Sequence, residues 1–147
     1  SWPGHAVTPL LDLAFVAAAA RVASVHYKDE AGRFGLGSFK ALGGAYAVAN
    51  VLKRALRAAG RGDATSVELV NGTFKDIVAR VSVTCATDGN HGRSVAWGAR
   101  LFGCRCVIYV HASVSEARCA AIACGVPPSI SSNSPTWCWR SSGWRSG

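Results

Sequence analysis

The sequence predicts an α/β fold built on a parallel sheet with strand, helix, strand units. Three observations carry that expectation. The apolar "VSVTCAT" (81–87) reads as a buried strand, and the glycine-rich turn "DGNHG" (88–92) leads from it into the helical "RSVAWGARLF" (93–102), closed by Gly103. The apolar "CRCVIYVH" (104–111) follows at once as a second strand. Connections this short imply a parallel pair with a right-handed crossover.

Taken in chain order, residues 10 to 20 are alanine-rich and read as a helix, and "ASVHYK" (23–28) alternates as a short strand. "DEAGRFG" (29–35) is a turn. From Ser38 a long helix is expected, because Leu42, Tyr46, Ala49, Leu52 or Lys53, and Leu56 recur at spacings of three and four. Ser38 can cap its start and Gly60 can end it. Residues 61–76 are polar and turn-rich, a loop with room for a short helical piece. After the second strand, Ser113 with Glu116 three residues on is a capping box for a helix at 114–124, closed by Gly125.

A third strand is due next, yet residues 126–147 hold neither periodicity. They contain seven serines, three prolines, three tryptophans and no acidic residue. Disordered segments avoid aromatic residues. The stretch is therefore expected to be an aberrant tail whose reading frame changed after about Gly125, with a flexible, disordered tail as the alternative.

The chain has 147 residues, 50% of them apolar, which suits one globular domain. Its net charge of +8 permits weak attraction to phosphate-rich partners, but the basic residues are scattered. Arg54, Arg57 and Arg61 form the nearest cluster, and without interleaved aromatic residues they read as a solvated helix end, so no nucleic-acid partner is expected. Six cysteines show neither a CxxC pair nor a zinc spacing, so free thiols in a reducing compartment and no metal are expected. The apolar run "LAFVAAAARVASV" is broken by Arg21 and falls short of the roughly 20 residues that span a bilayer. No basic segment precedes it as in a secretory signal, so the reading is a soluble, cytoplasmic protein without membrane contact.

Two segments carry chemistry. In "GLGSFKALGGAYA" (35–47), Lys40 sits at the start of a helix, where the dipole disfavours a cation. It is either a surface lysine with apolar neighbours or a nucleophilic amine of the kind that forms Schiff bases with carbonyls. Gly43 and Gly44 would let a flat ring approach the backbone. "TDGNHGR" is either a plain strand-to-helix turn or an anion site for a carboxylate or phosphate, reinforced by Arg93. In the second case Asn90 could bond a ring hydroxyl and Asp88 could act as a base, while His91 alone is weak support.

Together, "RFGLGSFKALGGAYAVAN" and "TCATDGNHGRSVAWGARLFGCRCVIYV" closely resemble the diaminopropionate ammonia-lyases. These lie within the tryptophan-synthase-β-like (fold type II) pyridoxal-phosphate enzymes. The resemblance covers about residues 5–125 and includes "HAVTPLLDL", "YKDEAGRFG" and "SEARCAAI". Dehydratases of the superfamily usually read SFKxRGA and SxGNHA, whereas this chain has "SFKALGGAYA" and an aspartate before "GNHG".

By that resemblance Lys40 would hold pyridoxal 5'-phosphate through its amine and then shuttle protons. Asn90 would bond the ring's phenolic oxygen, and the amides of Gly89, Asn90, His91 and Gly92 would hold the substrate carboxylate. Asp88 would take the α-proton of the D-enantiomer and Lys40 that of the L form. The product would be pyruvate with two ammonias, and the full-length enzyme a homodimer acting on a small amino acid.

The resemblance further implies that residues 1–125 are the N-terminal part of a lyase catalytic domain, roughly its first third, truncated at the start as well. The family's glycine-rich phosphate loop, pyridine-nitrogen partner and second catalytic carboxylate lie further on. The fold would then be a partial one, incomplete at the C-terminus, and activity in isolation is not expected. The alternatives are another fold type II enzyme, such as a threonine or serine dehydratase, and a basic binding fragment without catalysis.

Overall fold

The computed structural model describes residues 2–87, 89–111, 113–124 and 136–141. A small antiparallel sheet pairs β1 (Leu10–Asp12) with β2 (His26–Lys28) around α1 (Ala14–Ala20). A 3₁₀ turn at Arg33–Gly35 leads to the long helix α2 (Ala41–Ala58). The short helices α3 (Ser66–Val70) and α4 (Lys75–Val78) connect it to β3 (Ser82–Ala86), α5 (Asn90–Phe102) and β4 (Arg105–His111). Helix α6 (Glu116–Cys124) and strand β5 (Thr136–Ser141) follow.

The expected strand, helix, strand unit is present, with β3 parallel to β4 and Val83 opposite Cys106. Helix α5 starts at Asn90, three residues before the expected position, and ends as expected on Gly103 in the left-handed conformation. The third strand does form: β5 lies parallel to β4, with Cys106 opposite Thr136 and His111 opposite Ser141. Threonine and tryptophan favour strands, and main-chain pairing to β4 needs no alternating pattern, which is why periodicity missed it. The rest of the stretch read as a tail, residues 126–135 and 142–147, lies outside the described residues, as does Gly125, expected to close the helix before it.

Other boundaries differ from expectation for local reasons. Residues 10–12 form β1 rather than helix, because their backbone pairs with β2 and the bond from Leu13 N to Val25 O extends the ladder. The 61–76 loop holds α3 and the start of α4, and Thr65 and Glu68 form the capping box that opens α3. The expected Ser113 box is replaced: Ser115 Oγ accepts from Arg118 N at 3.4 Å, while the Ser113 hydroxyl bonds the His111 ring at 2.7 Å. Of the basic cluster, Arg57 pairs with Asp63 and Arg61 with Asp76, both at the surface.

The core lies between α2, α5 and the parallel sheet, where Leu52, Leu56, Leu69, Ile108 and Ile122 are fully buried. Along β4, Cys106, Ile108 and Val110 are buried while Arg105, Tyr109 and His111 are exposed. In β3, expected to be a buried strand, Val83 is buried while Ser82, Thr84 and Ala86 are exposed. Cys85, Cys104, Cys106 and Cys119 are free thiols, as expected. Burial pushes Cys104 up to about 11 and Cys106 up to about 12, the latter also through its Cys85 and Cys104 neighbours. No group of residues that could hold a metal, and no helix long and apolar enough to cross a membrane, occurs among the described residues.

The buried stripe of α2 is Ala41, Gly44, Ala45, Val48, Ala49, Leu52 and Leu56, and it faces α5. It is rotated relative to the expected stripe, so Tyr46 is exposed. The cause is close backbone approach. A Cβ on Gly98 would lie 2.6 Å from Ala45 Cα, and one on Gly44 would lie 2.7 Å from Ser94 Cβ. Only small residues fit along this seam.

Gly98→Ala is therefore expected to cost about 1–3 kcal/mol of stability by overpacking. Gly43→Ala, whose Cβ would meet nothing within 4 Å, is expected to stabilise by about 0.4–1 kcal/mol. Urea denaturation midpoints of the two variants check the contrast.

Candidate active site

The same seam fixes the relative direction of the two helices. Ser94 Oγ donates to Ala41 O at 2.6 Å and also meets Gly44, and one turn further along both helices Gly98 meets Ala45. The contacts advance together, so α2 and α5 run parallel with their N-termini at one end. Lys40 is the N-cap of α2 and Asn90 the first residue of α5. The seam thus brings the two sequence motifs together at the carboxyl end of β3, where ligands of such sheets gather.

Lys40, Asn90 and His91 are exposed, Gly89 is half-buried and Gly92 is buried. Asp88, expected to act as a base, lies outside the described residues. Lys40 sits one residue before the helix rather than inside its first turn, and its N–H donates to Ser38 Oγ at 3.2 Å. Asn90 shares an open cleft of about 270 Å³ with Ser38, Phe39, Tyr27, Lys28 and Glu30. The β2 end therefore forms one wall of the site.

Of the amides expected to bind a carboxylate, those of Gly89 and Gly92 donate to Thr87 Oγ1, at 3.2 and 3.3 Å. Gly92 must be glycine, because a Cβ there would collide with the Thr87 methyl group and lie 3.2 Å from Ile108 Cγ2. Arg93, expected to reinforce an anion site, has its Nε buried and without a hydrogen-bond partner among the described residues.

Two features escaped the sequence reading. One is a polar cluster that ties the N-terminal segment to the turn before Lys40. Buried Arg33 donates to both oxygens of Glu30, at 2.6 and 2.9 Å, to Ala6 O at 2.9 Å and to Thr8 Oγ1 at 3.1 Å. Thr8 Oγ1 donates to Glu30 Oε1, and Lys28 Nζ to Thr8 O at 2.6 Å. The i, i+3 spacing of Glu30 and Arg33 was the available signal; Thr8, 22 residues from Glu30, offered none. The other is an aromatic group in which Phe34 stacks on Trp97 of α5 with centroids 4.4 Å apart, and Trp2 meets Trp97 and Phe102.

The arrangement offers an exposed primary amine on Lys40, an exposed carboxamide on Asn90 and two helix N-termini, whose positive ends favour anions. A Cβ on Gly43 would meet nothing within 4 Å, so the first turn of α2 is open there. These groups suit an aldehyde-bearing, anionic cofactor.

Comparison with known proteins decides the family. The model of the pyridoxal-phosphate dependent enzymes matches residues 2–124. The chain belongs to this family. Solved structures share its α/β fold. The selenomethionine-containing holo diaminopropionate ammonia-lyase of Escherichia coli matches with a TM-score of 0.74 and 32% identity, over 95% of this chain and 32% of that one. The same enzyme in complex with D-serine matches with a TM-score of 0.71 and 36% identity, over 84% of this chain and 30% of that one. The diaminopropionate ammonia-lyase of Salmonella typhimurium is 40% identical over 111 residues, 74% of this chain and 26% of that enzyme. The chain thus spans about a quarter of the curated relative's length. The resemblance stated from sequence and the fold type II architecture are both borne out over the part present.

The cluster beneath the cleft should show in the pH dependence of stability. Hydrogen bonds from Arg33, then from Thr8, hold the Glu30 carboxyl down at about 2, against an ordinary 4.5. Because the folded value is depressed, the stabilisation is present above about pH 4.5 and is lost as pH falls through about 2. Denaturation midpoints should fall across that window, and Glu30→Gln should flatten the fall.

Proposed function

We propose that this chain supplies the cofactor lysine and the substrate-carboxylate site of a lyase. The reaction converts 2,3-diaminopropionate and water to pyruvate and two ammonias. The observation that carries the reading is the parallel packing of α2 on α5, which sets Lys40 and the Asn90 helix start at one end of the sheet. The 40% identity to a diaminopropionate ammonia-lyase supports the substrate.

Each residue has a physical task. Lys40 holds the cofactor through its amine and returns a proton to the substrate. Asn90 orients the ring through its phenolic oxygen. The helix start at Gly89, Asn90, His91 and Gly92 receives the substrate carboxylate, an anion at the positive end of a dipole. Asp88 removes the α-proton of the D-enantiomer and Lys40 that of the L form. Bound pyridoxal phosphate supplies the electron sink that brings this α-proton within reach of a carboxylate or an amine. The complete enzyme is read as a cytoplasmic homodimer, with the phosphate loop and the pyridine-nitrogen partner in parts of the enzyme other than this chain.

The test is to mix the chain with pyridoxal phosphate, reduce with borohydride and map the adduct by mass spectrometry. The adduct is expected on Lys40 and lost in Lys40→Ala. An adduct spread evenly over Lys28, Lys40, Lys53 and Lys75 would overturn the reading.

A further inference from the structure

The segment that delivers Lys40 begins with an unusual backbone choice. Phe34 has φ 51° and ψ 20°, the left-handed region, which a residue with a Cβ disfavours. Glycine would take this conformation freely, and the chain does place glycines in the left-handed region at 35 and 37. At 34 it has a phenylalanine instead.

The ring lies near Trp2 and His5, with centroids 6.5 and 6.2 Å away, and closest to Trp97. It stacks on Trp97 at 4.4 Å with an interplanar angle of 24°, and Trp97 belongs to α5, the helix that opens with Asn90. Immediately before it, Arg33 is fixed to Glu30, Thr8 and Ala6. Immediately after it, six residues reach Lys40, with Leu36 and Ser38 buried along the way.

We propose that Phe34 is a positioning residue for Lys40. Clamped on Trp97, it ties the start of the lysine loop to α5, so that the amine and the Asn90 helix start keep one spacing. The Ala41–Ser94 bond fixes the helix behind Lys40, and the Phe34–Trp97 stack fixes the loop ahead of it. The inference rests on the reading of Lys40 as the cofactor lysine.

Two variants and two readouts test it. Phe34→Gly adopts the same backbone without strain and lacks the ring, whereas Phe34→Tyr keeps the ring. The first readout is the share of borohydride-trapped pyridoxal phosphate on Lys40 against Lys28, Lys53 and Lys75. The second, which needs no cofactor, is hydrogen exchange at the Lys40, Ala41 and Gly44 amides against those of Leu52 and Ile108.

In Phe34→Gly, the Lys40 preference should fall and exchange at Lys40–Gly44 should accelerate, each by up to about tenfold, the scale of one aromatic pair. Leu52 and Ile108 should stay protected, and Phe34→Tyr should behave as the unaltered chain. Unchanged exchange at Lys40–Gly44 in Phe34→Gly would overturn the proposal, as would loss of protection throughout the core. If the unaltered chain labels its lysines evenly, the lyase reading fails. Local acceleration of exchange would then still support the positioning role, and its absence would sink it.

Discussion

The close approach of α2 and α5 is the constraint on which the rest of the structure depends. Gly44 and Ala45 on one helix meet Ser94 and Gly98 on the other with so little room that neither glycine could carry a side chain. The seam is tight enough for one buried hydroxyl, Ser94, to reach across it to the Ala41 carbonyl. A packed interface of this kind has few alternative registers. It therefore converts two helices, begun 49 residues apart in sequence, into a single rigid element whose two starting ends are neighbours.

Much of this was legible in the sequence, and the parts that were not share a physical cause. The strand, turn, helix, strand run from residue 81 to 111 stood out because its periodicities change abruptly and a glycine closes the helix. Lys40 and the "DGNHG" turn stood out for their residue types. The rotation of the α2 stripe did not, since Tyr46 is as apolar as Ala45 to a pattern reader, and only the approach of Gly98 says which one faces inward. β5 was missed because a strand can be recruited by main-chain pairing alone. The Thr8, Glu30 and Arg33 cluster was half legible: its i, i+3 ion pair is local, and its third member is not.

The pieces around Lys40 form a graded support. The seam behind it is apolar and buried, the Arg33 cluster ahead of it is polar and satisfied, and the Phe34 ring joins the two by resting on α5. A conformation that is locally unfavourable at Phe34 persists because its surroundings over-determine it. The lysine itself carries little of this load, and its side chain is left exposed.

The Thr87 hydroxyl changes how ligand recognition at the start of α5 must be counted. It already accepts from the Gly89 and Gly92 amides, so an incoming group gains there only the difference between its own hydrogen bonds and those it displaces. A neutral acceptor exchanges like for like and gains almost nothing. An anion gains the charge-assisted surplus together with the attraction of the helix end. On the proposed reading of this turn as a carboxylate site, the internal hydroxyl would set a threshold that favours charge over hydrogen-bonding capacity.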